Sequence, residues 1–508
     1  MPCPFRAGSS LRLAAARLAA LLLVLCWVGA GPVCAVAAEI RVALPQLPIT
    51  LDPRFATDAA SVKVQQLLHR GLVRLDDHFR PQPDLAESWR HPDPRTWRFT
   101  LRAGLRFHDG SPVTAEDVAA TLSSILDPRI KSPLAAGFAA LERVRALDRR
   151  RLEIRLRRVD ASLLTRLVLG VLPARLAAGG QEARTTIGCG PYRLAGWRGN
   201  RITLAPRDHR RPVVTIVRVK DPVTRALKLA RGEIDLMQND FPLYLLDWLR
   251  RRPHLRVATR PSTTFSYIGI NLHDPILKRR AVRRALALAV DRRLLKRALF
   301  GDAPVLAATV LPADHWATAK LAQIPYDPER ARRLLDRAGF PPDADGIRFH
   351  LNWRTSTDPE RLRLAVAIAA GWRRIGVEVS VESLEWGGFY ARIKRGDFQL
   401  YSLSWVGIVD PDIYRWILHS SMWPPKGANR GRYRDPEVDR WLDRAATSED
   451  RALRRRLYAR VERRMLRDLV YIPLWYEPVV AVWRDRIRGF APRADGSLLP
   501  LLDVRPAD

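Results

Sequence analysis

The chain of 508 residues carries 86 lysines and arginines against 53 aspartates and glutamates, a formal net charge of +33. Hydrophobic residues make up 47% of it and aromatic residues 8%, with no low-complexity tract, which excludes a disordered chain. Because one hydrophobic core stops growing at roughly 250–300 residues, we expect a globular protein of several domains.

The excess of basic residues has two interpretations. One is a polyanionic partner, such as nucleic acid or an anionic membrane surface. The other is arginine used at solvated surface positions. We favour the second, because the arginines are dispersed and no helix-turn-helix, zinc-finger or RNA-binding signature accompanies them. No nucleic-acid partner is therefore expected.

The N-terminus predicts a secretory signal peptide over residues 1–38. Arg6, Arg12 and Arg17 precede an apolar run of about 14 residues, LAALLLVLCWVGAG, and then the small residues AVAA. This run is shorter than the roughly 20 residues that a membrane span needs. We therefore expect a soluble exported protein.

The cysteines limit both disulfide formation and lipidation. Cys3, Cys26 and Cys34 lie in the predicted signal peptide, so the mature chain keeps Cys189 alone and forms no internal disulfide. A lipoprotein signal needs a small residue before its modified cysteine, and neither Cys26 nor Cys34 has one. We interpret Cys189, which stands between glycines in GCGPY, as a small buried residue rather than a nucleophile.

The N-terminal half predicts mainly strands and hairpins. IRVALP predicts a strand, SVKVQQLLHRGLV a helix, and TWRFTLRAGLRFHDG a segment with strand alternation. In TAEDVAATLSSIL, Thr114 is the predicted N-cap and Asp117 its capping-box partner. VRALDRRRLEIRLRRVD predicts one hairpin, and GCGPYRLAGW with RITLAP predicts another. VTRALKLARGEIDL predicts a helix that ends at Gly232.

The C-terminal half predicts an α/β region. FSYIGINL is a candidate buried strand, and the helical segments LKRRAVRRALALAVDRRLLKRALFG and DPERARRLLDRAGF follow it. Residues 346–404 predict the order strand, helix, strand, helix, strand, which is typical of a doubly wound α/β lobe. YIPLWYEPVVAVWR is apolar enough for one or two buried strands.

Ten segments in a common order resemble a known family, the family 5 extracellular solute-binding proteins of ATP-binding-cassette (ABC) importers, and in particular its dipeptide- and oligopeptide-binding group. The segments are LDPRFATDAA, GLVRLDD, PQPDLAESW, WRFTLRAGLRFHDGSPVTAEDV, GCGPYRL, RGEIDL, FSYIGINL, AVRRALALAVDR, GVEVSVESLEWGGFYARIKRGDFQL and YIPLW. The resemblance implies a two-lobed α/β periplasmic-binding-protein fold whose lobes close about a hinge onto a solute. It also implies a monomer without catalytic activity or cofactor, which delivers solute to a membrane permease.

The resemblance also implies a division into three domains. Domain I would be discontinuous, domain II would follow its first segment, and domain III would form the second lobe, with the hinge on two crossing strands. The implied bounds are 39–84, 187–273 and 482–508 for domain I, 85–186 for domain II and 274–481 for domain III, with the hinge near Asn271 and Val480.

Family resemblance points to the segment LSWVGIVDPDIYRW as a wall of the ligand cleft. In the peptide binders, an aspartate three residues after the tryptophan pairs with the α-ammonium of the peptide, but here that position is Ile408. A buried ammonium is costly unless it is paired, so Asp410 becomes the candidate amine partner. The alternative is that Asp410-Pro411-Asp412 forms a Pro-fixed turn with two solvated acids.

Other candidate ligand residues rest on the same resemblance. Arg354 lies near the position of the arginine that binds a peptide carboxylate in dipeptide binders, and a guanidinium suits that task. Trp405 and Trp353 either wall in the ligand or fill core. Tyr267 and Asn271, on the crossing strand, are further cleft candidates, while Arg430 in GANRGRY is interpreted as a solvated loop residue.

Catalytic and metal motifs do not emerge from the sequence. His108 and Asp109 lack further ligands at metal spacing, so we interpret Asp109-Gly110 as a tight turn. HExxH, GxSxG and Walker A patterns are absent. A short peptide is the expected solute, and the alternatives are an oligosaccharide, a metal chelate or haem, or a role as a sensor.

Overall fold

The computed structural model describes residues 38–180, 186–242, 244–301 and 303–506, and its compact body begins at Glu39. The predicted signal peptide thus lies outside the described residues, except for Ala38. The strands are β1 (Glu39–Leu44), β2 (Val73–Leu75), β3 (Pro81–Pro83), β4 (Ala86–Asp93), β5 (Thr96–Leu101), β6 (Leu141–Ala146), β7 (Arg151–Leu156), β8 (Tyr192–Arg198), β9 (Arg201–Pro206), β10 (Val213–Arg218), β11 (Leu236–Gln238), β12 (Leu255–Ile270), β13 (Val305–Leu306), β14 (Phe349–Ser356), β15 (Val377–Leu384), β16 (Leu400–Trp405), β17 (Tyr471–Arg484), β18 (Ile487–Arg488) and β19 (Arg505–Pro506). The helices are α1 (Ala59–Leu68), α2 (Ala115–Leu126), α3 (Leu163–Arg166), α4 (Ala174–Ala177), α5 (Pro222–Arg231), α6 (Leu245–Arg250), α7 (Arg280–Leu288), α8 (Arg292–Phe300), α9 (Pro328–Arg337), α10 (Pro359–Arg373), α11 (Trp386–Arg395), α12 (Ile413–Leu418), α13 (Pro436–Ala446) and α14 (Arg451–Asp468).

A large mixed sheet runs through the molecule in the order β15-β14-β16-β12-β17-β11-β1-β10-β9-β8, with β13 added beside β17. Its two central strands are long, since β12 has 16 residues and β17 has 14. They pair with each other along most of their length, and each also pairs with strands on its own outer side. YIPLWYEPVVAVWR is therefore one continuous strand, and β12 and β17 join an N-terminal half of the sheet to a C-terminal half.

The C-terminal half confirms the predicted β-α-β-α-β order. β14 pairs in parallel with both β15 and β16, and α10 and α11 connect them. The side chains of β12 point alternately to the two faces of the sheet, and an apolar core covers each face. Phe265 and Tyr267 enter one core, and Ile268 and Ile270 enter the other. A strand covered on both faces needs apolar residues at nearly every position, as FSYIGI has.

A separate four-stranded sheet, β4-β5-β7-β6, packs with α2 around its own apolar core. The predicted capping box is confirmed, because the Thr114 amide donates to the Asp117 carboxylate and the Thr114 hydroxyl contacts the same oxygen, both at 2.8 Å. The two predicted hairpins, β6-β7 and β8-β9, are also confirmed. These elements follow from local patterns of alternation and capping.

Local signals also set the ends of several helices. Gly232 terminates α5 in the left-handed region at φ 77°, which glycine adopts without steric cost. Asp327 accepts from the Arg330 amide and Pro328 takes the first turn of α9, as predicted. Among the described residues, none of the helices combines the length and apolar character that a membrane span requires.

Candidate ligand-binding site

The long strands change register where they pass between the two halves of the sheet. The pairing of β12 with β17 shifts between Pro261 and Phe265, and it resumes with Phe265 opposite Tyr476. Within this gap, the Thr263 amide donates to the Ala494 carbonyl at 3.3 Å rather than to a strand partner. Irregular pairing of this kind re-aims side chains and is common beside functional sites. The crossing is therefore a candidate position for ligand contacts.

A polar centre occupies the crossing on the C-terminal side. We define the crossing centre as Arg361, Glu477, Ser266 and Ser404. One oxygen of Glu477, Oε1, receives a guanidinium N–H of Arg361 at 2.6 Å and the hydroxyl groups of Ser266 and Ser404 at 2.5 and 2.8 Å. Arg361 also donates to Ser266 at 3.2 Å and to Ser404 at 2.8 Å. The side chains of three strands and one helix thus form one hydrogen-bonded cluster, in which the two serines surround the Arg361–Glu477 ion pair.

The crossing centre is recessed yet reachable. Burial raises the pKa of Glu477, but the Arg361 charge and the hydrogen bonds outweigh burial, so this pKa lies below its ordinary value. Both side chains nevertheless keep exposed area, 27% for Arg361 and 32% for Glu477. The second carboxylate oxygen of Glu477 has no hydrogen-bond partner among the described residues. A charged group of a solute can therefore meet a fixed, ionised carboxylate here.

Trp405 and Tyr267 lie on the opposite face of the sheet from Ser266 and Ser404. Their rings stack at 6.1 Å with an interplanar angle of 9°, and the Arg430 guanidinium lies 4.6 Å from the Trp405 ring. Tyr267 is fully buried, and its hydroxyl accepts from Arg430 at 3.1 Å. Arg430 is itself buried, which corrects its interpretation as a solvated loop residue. Of the three predicted ligand aromatics, Trp405, Tyr267 and Trp353, Trp405 alone keeps partial exposure.

Asp410 faces neighbouring protein groups rather than an open cleft. Its carboxylate accepts from the hydroxyl groups of Ser162 at 2.7 Å and Thr165 at 3.0 Å, and from the Asp412 amide at 2.8 Å. Burial and the nearby Asp410 charge raise the pKa of Asp412 to about 6. Ile408, at the family's amine-anchor position, is buried in the core. The turn therefore packs against protein groups instead of carrying two solvated acids, and a peptide ammonium would have to share an Asp410 carboxylate that already accepts three hydrogen bonds, so the role of amine partner stays a prediction.

Arg354 already has two carboxylate partners. Its guanidinium lies 2.8 Å from Glu382 and 2.5 Å from Asp397, and its side chain is 13% exposed. Arg354 therefore sits in an internal ion-pair network through Nε and Nη1, whereas its Nη2 has no hydrogen-bond partner among the described residues. A carboxylate-bearing ligand would compete with Glu382 and Asp397 for this guanidinium, and the role of Arg354 as a ligand partner stays a prediction.

Trp353 and Asn271 also have internal partners. Trp353 is fully buried and its ring lies 5.5 Å from that of Trp372, in the apolar core between the sheet and α10. This placement favours the core role of the two that we weighed for it. Asn271 follows the last residue of β12, and its side-chain amide donates to the Phe398 carbonyl at 2.9 Å. It thus lies beyond the crossing, in the C-terminal half of the sheet.

Cys189 and the His108 segment have structural roles. Cys189 is buried, and burial raises the pKa of its thiol to about 11, so the prediction of a buried residue is confirmed. His108 accepts from the Gly188 amide through Nδ1, while Asp109 binds Ser111 and forms an ion pair with Arg175. Across the described ranges, His, Cys, Asp and Glu side chains nowhere form a group of three that could hold a metal ion.

Sequence reasoning missed the crossing centre. Its members are spread over four elements, and Ser266 and Glu477 are 211 positions apart. A signal was present all the same, because Glu477 is the single acid within YIPLWYEPVVAVWR, and Ser266 and Ser404 interrupt apolar strands. A lone acid inside a buried strand requires a partner, so the sequence could have predicted a polar contact at Glu477.

Comparison with known proteins shows the family of the chain. Residues 80–423 match the family described as bacterial extracellular solute-binding proteins, family 5 Middle. The nickel-binding periplasmic protein of Escherichia coli (strain K12) is 27% identical over 498 residues, covering 92% of this chain and 94% of its own. The periplasmic oligopeptide-binding protein OppA of Salmonella typhimurium is 27% identical over 470 residues, covering 84% and 85%.

Structural comparison gives the same answer for the fold. The crystal structure of NikA from Brucella suis in complex with Fe(III)-EDTA superposes with a TM-score of 0.84 at 23% identity, covering 92% of this chain and 99% of that chain. The mixed α/β periplasmic-binding-protein fold predicted from the sequence is thereby confirmed. Because the family match spans residues 80–423, the chain belongs to the family 5 bacterial extracellular solute-binding proteins, the substrate-binding components of ABC importers.

Proposed function

We propose that this solute-binding protein captures short peptides in the periplasm and delivers them to an ABC permease in the inner membrane. It works as a monomer that leaves the cell interior by a cleavable signal peptide. One relative of similar length is named for oligopeptides and another for nickel, so the family alone does not choose the solute. The choice rests on the side chains at the crossing.

The crossing centre carries this proposal. A peptide in water has an ammonium at one end and a carboxylate at the other, and the crossing offers the opposite charges in Glu477 and Arg361. The unpartnered oxygen of Glu477 can accept from the ammonium, while Arg361 keeps that carboxylate ionised. A fixed carboxylate of this kind offsets the cost of burying an ammonium, as Asp does in the family's peptide binders.

We further propose that the hinge lies at the register shift, residues 261–265 and 476–478, rather than near Asn271 and Val480. Hinges are short segments that absorb backbone rotation, and irregular pairing frees the backbone for it. Domains I, II and III keep their proposed bounds otherwise. Peptide binding would favour the closed form only to the extent that the peptide contacts both lobes there.

Native mass spectrometry of gently purified mature protein would identify what the protein carries. A ladder of masses matching mixed short peptides is the expected result. Calorimetry on stripped protein would follow, comparing trialanine with N-acetylated trialanine. Glu477→Gln should weaken binding of trialanine by about tenfold, about 1.4 kcal/mol, and leave the acetylated peptide unaffected.

Glu382→Gln is the matched control, because Glu382 also pairs with an arginine, Arg354 at 2.8 Å, but away from the crossing. It should leave trialanine binding unchanged. A single mass corresponding to a metal chelate, or equal effects of Glu477→Gln and Glu382→Gln, would reject the peptide proposal.

A further inference from the structure

A second concave surface lies apart from the crossing centre. It is a groove of about 1090 Å³ between the exposed face of α14, the segment 314–320 and Arg80, which precedes β3. Trp316 forms part of its wall, with the Arg451 guanidinium 4.8 Å from the ring. We call it the basic groove. Its volume lies just above the range of small-molecule sites, which span roughly 300–1,000 Å³.

Positive charge dominates the lining of the basic groove. Five arginines of α14 contribute to it, and Lys320 and Arg80 stand opposite, whereas Asp314 is its one acidic residue. The five are Arg451, Arg455, Arg456, Arg460 and Arg463. Within the part of the chain that the structure describes, none of the seven basic side chains forms an ion pair with an acid. Arg464 on the same helix, by contrast, contacts both Asp435 and Glu437.

This arrangement weakens the helix that carries it. Arg451 and Arg455 are four positions apart, as are Arg456 and Arg460, so like charges stand one turn apart on the exposed face. Arg451 and its neighbours also stand at the N-terminal end of α14, where the helix dipole disfavours cations. The pKa of Arg451 is lowered by burial and by the charges of Arg80 and Arg454. An anion in the groove would relieve all of these repulsions at once.

We propose that the basic groove binds a small soluble polyanion that carries several phosphate groups. Arginine matches phosphate through two parallel N–H donors, and several arginines at one-turn spacing match several linked phosphates. The site is concave, which suits a discrete molecule rather than the flat surface of a membrane. Arg80 comes from the N-terminal part of the chain and α14 from the C-terminal part, so one polyanion contacts both.

The test uses the full mature protein and inorganic tripolyphosphate as probe, titrated calorimetrically at 150 mM salt. Arg455→Ala combined with Arg460→Ala should lower the affinity at least tenfold. Arg293→Ala combined with Arg297→Ala is the matched control, because these exposed arginines have comparable spacing on α8, outside the groove. The control should bind tripolyphosphate like the native chain. Arg80→Ala should also weaken binding, since it removes the opposite wall.

Equal losses in the two double variants would mean that tripolyphosphate senses only overall charge, and would overturn the proposal. Binding to phosphatidylglycerol vesicles but not to tripolyphosphate, abolished by the groove variant, would assign the groove to a membrane surface and overturn it as well. Thermal unfolding checks the fold of each variant. All four replaced arginines are exposed, so we expect both double variants to fold. The peptide proposal is independent of every one of these outcomes.

Discussion

The Asp410 carboxylate accepts a 2.7 Å hydrogen bond from the hydroxyl of Ser162, which lies 248 positions earlier in the chain. Arg454 of α14 approaches the same hydroxyl at 3.3 Å and the Ala161 carbonyl at 3.3 Å. These bonds connect the region that follows β7 with the region that follows β16. Asp410 and Arg454 therefore hold residues 161–162 against the C-terminal part of the chain.

Removing this contact should loosen the arrangement without removing ligand recognition. Asp410→Ala and Ser162→Ala should each lower the free energy of unfolding by about 1–3 kcal/mol, because each removes a charge-assisted hydrogen bond at a partly buried site. The double variant should lose less than the sum, with a coupling energy of about 1 kcal/mol. Urea denaturation of the four proteins measures it, and additive losses would show that the bond contributes nothing.

A second coupling should appear within the crossing centre. Arg361→Met leaves the Glu477 carboxylate recessed without its cation, and Glu477→Gln leaves the guanidinium without its anion. We expect each to cost about 1–3 kcal/mol, below the cost of breaking a fully buried pair because both groups keep exposed area. The double variant Arg361→Met/Glu477→Gln should be less destabilised than the sum, as measured by urea denaturation. If the losses of the two single variants simply add in the double variant, the stabilisation would come from the serine hydroxyls and not from the ion pair.

Local patterns accounted for most elements of the fold. The capping box at Thr114, the end of α5 at Gly232 and the β-α-β-α-β order of residues 346–404 all depend on residues close in sequence, and all were predicted. The single long strand β17 was left undecided, because alternation within YIPLWYEPVVAVWR does not reveal that its two ends serve different halves of one sheet.

The candidate site could not be predicted to the same extent, because its contacts span long sequence separations. Arg361 and Glu477 are 116 positions apart, and Arg430 and Tyr267 are 163 apart. We interpreted Arg430 as a solvated loop residue, although tyrosine and tryptophan rings bury it. Resemblance to the family pointed to the segment around Trp405, whose ligand role stays a prediction, but it could not show that Arg354 pairs with Glu382.

Trp353 should behave as a core residue. Trp353→Phe removes one ring of a fully buried indole beside Trp372, so we expect a loss of about 1–3 kcal/mol from the cavity that remains. The Trp353 indole nitrogen has no hydrogen-bond partner among the described residues, so no such bond is lost. Peptide affinity should stay within twofold. A large loss of affinity without a change in thermal stability would return Trp353 to the ligand site.

Glu462 should make the protein less stable as the pH rises through neutrality. It is fully buried, and burial raises the pKa of its carboxyl group to about 7, against hydrogen bonds from the Tyr414 hydroxyl at 2.6 Å and the Ala319 amide at 2.5 Å. In the unfolded chain the same group ionises near pH 4.5. Between these values the folded state holds a proton that the unfolded state has released, so the free energy of unfolding falls as the pH increases.

The contribution is thus fully present below pH 4.5 and is lost above pH 7, with a total on the order of 3 kcal/mol. Glu462→Gln cannot ionise, so it should flatten this part of the pH profile and be relatively more stable than the native chain at pH 8 than at pH 5. Glu437→Gln, at an exposed glutamate, is the control and should keep the native slope. Asp412, whose pKa is raised to about 6, contributes a smaller slope of the same sign in both variants. Chemical denaturation at pH 5, 6, 7 and 8 measures the slopes, and parallel profiles for the native chain and Glu462→Gln would show that Glu462 is ionised throughout.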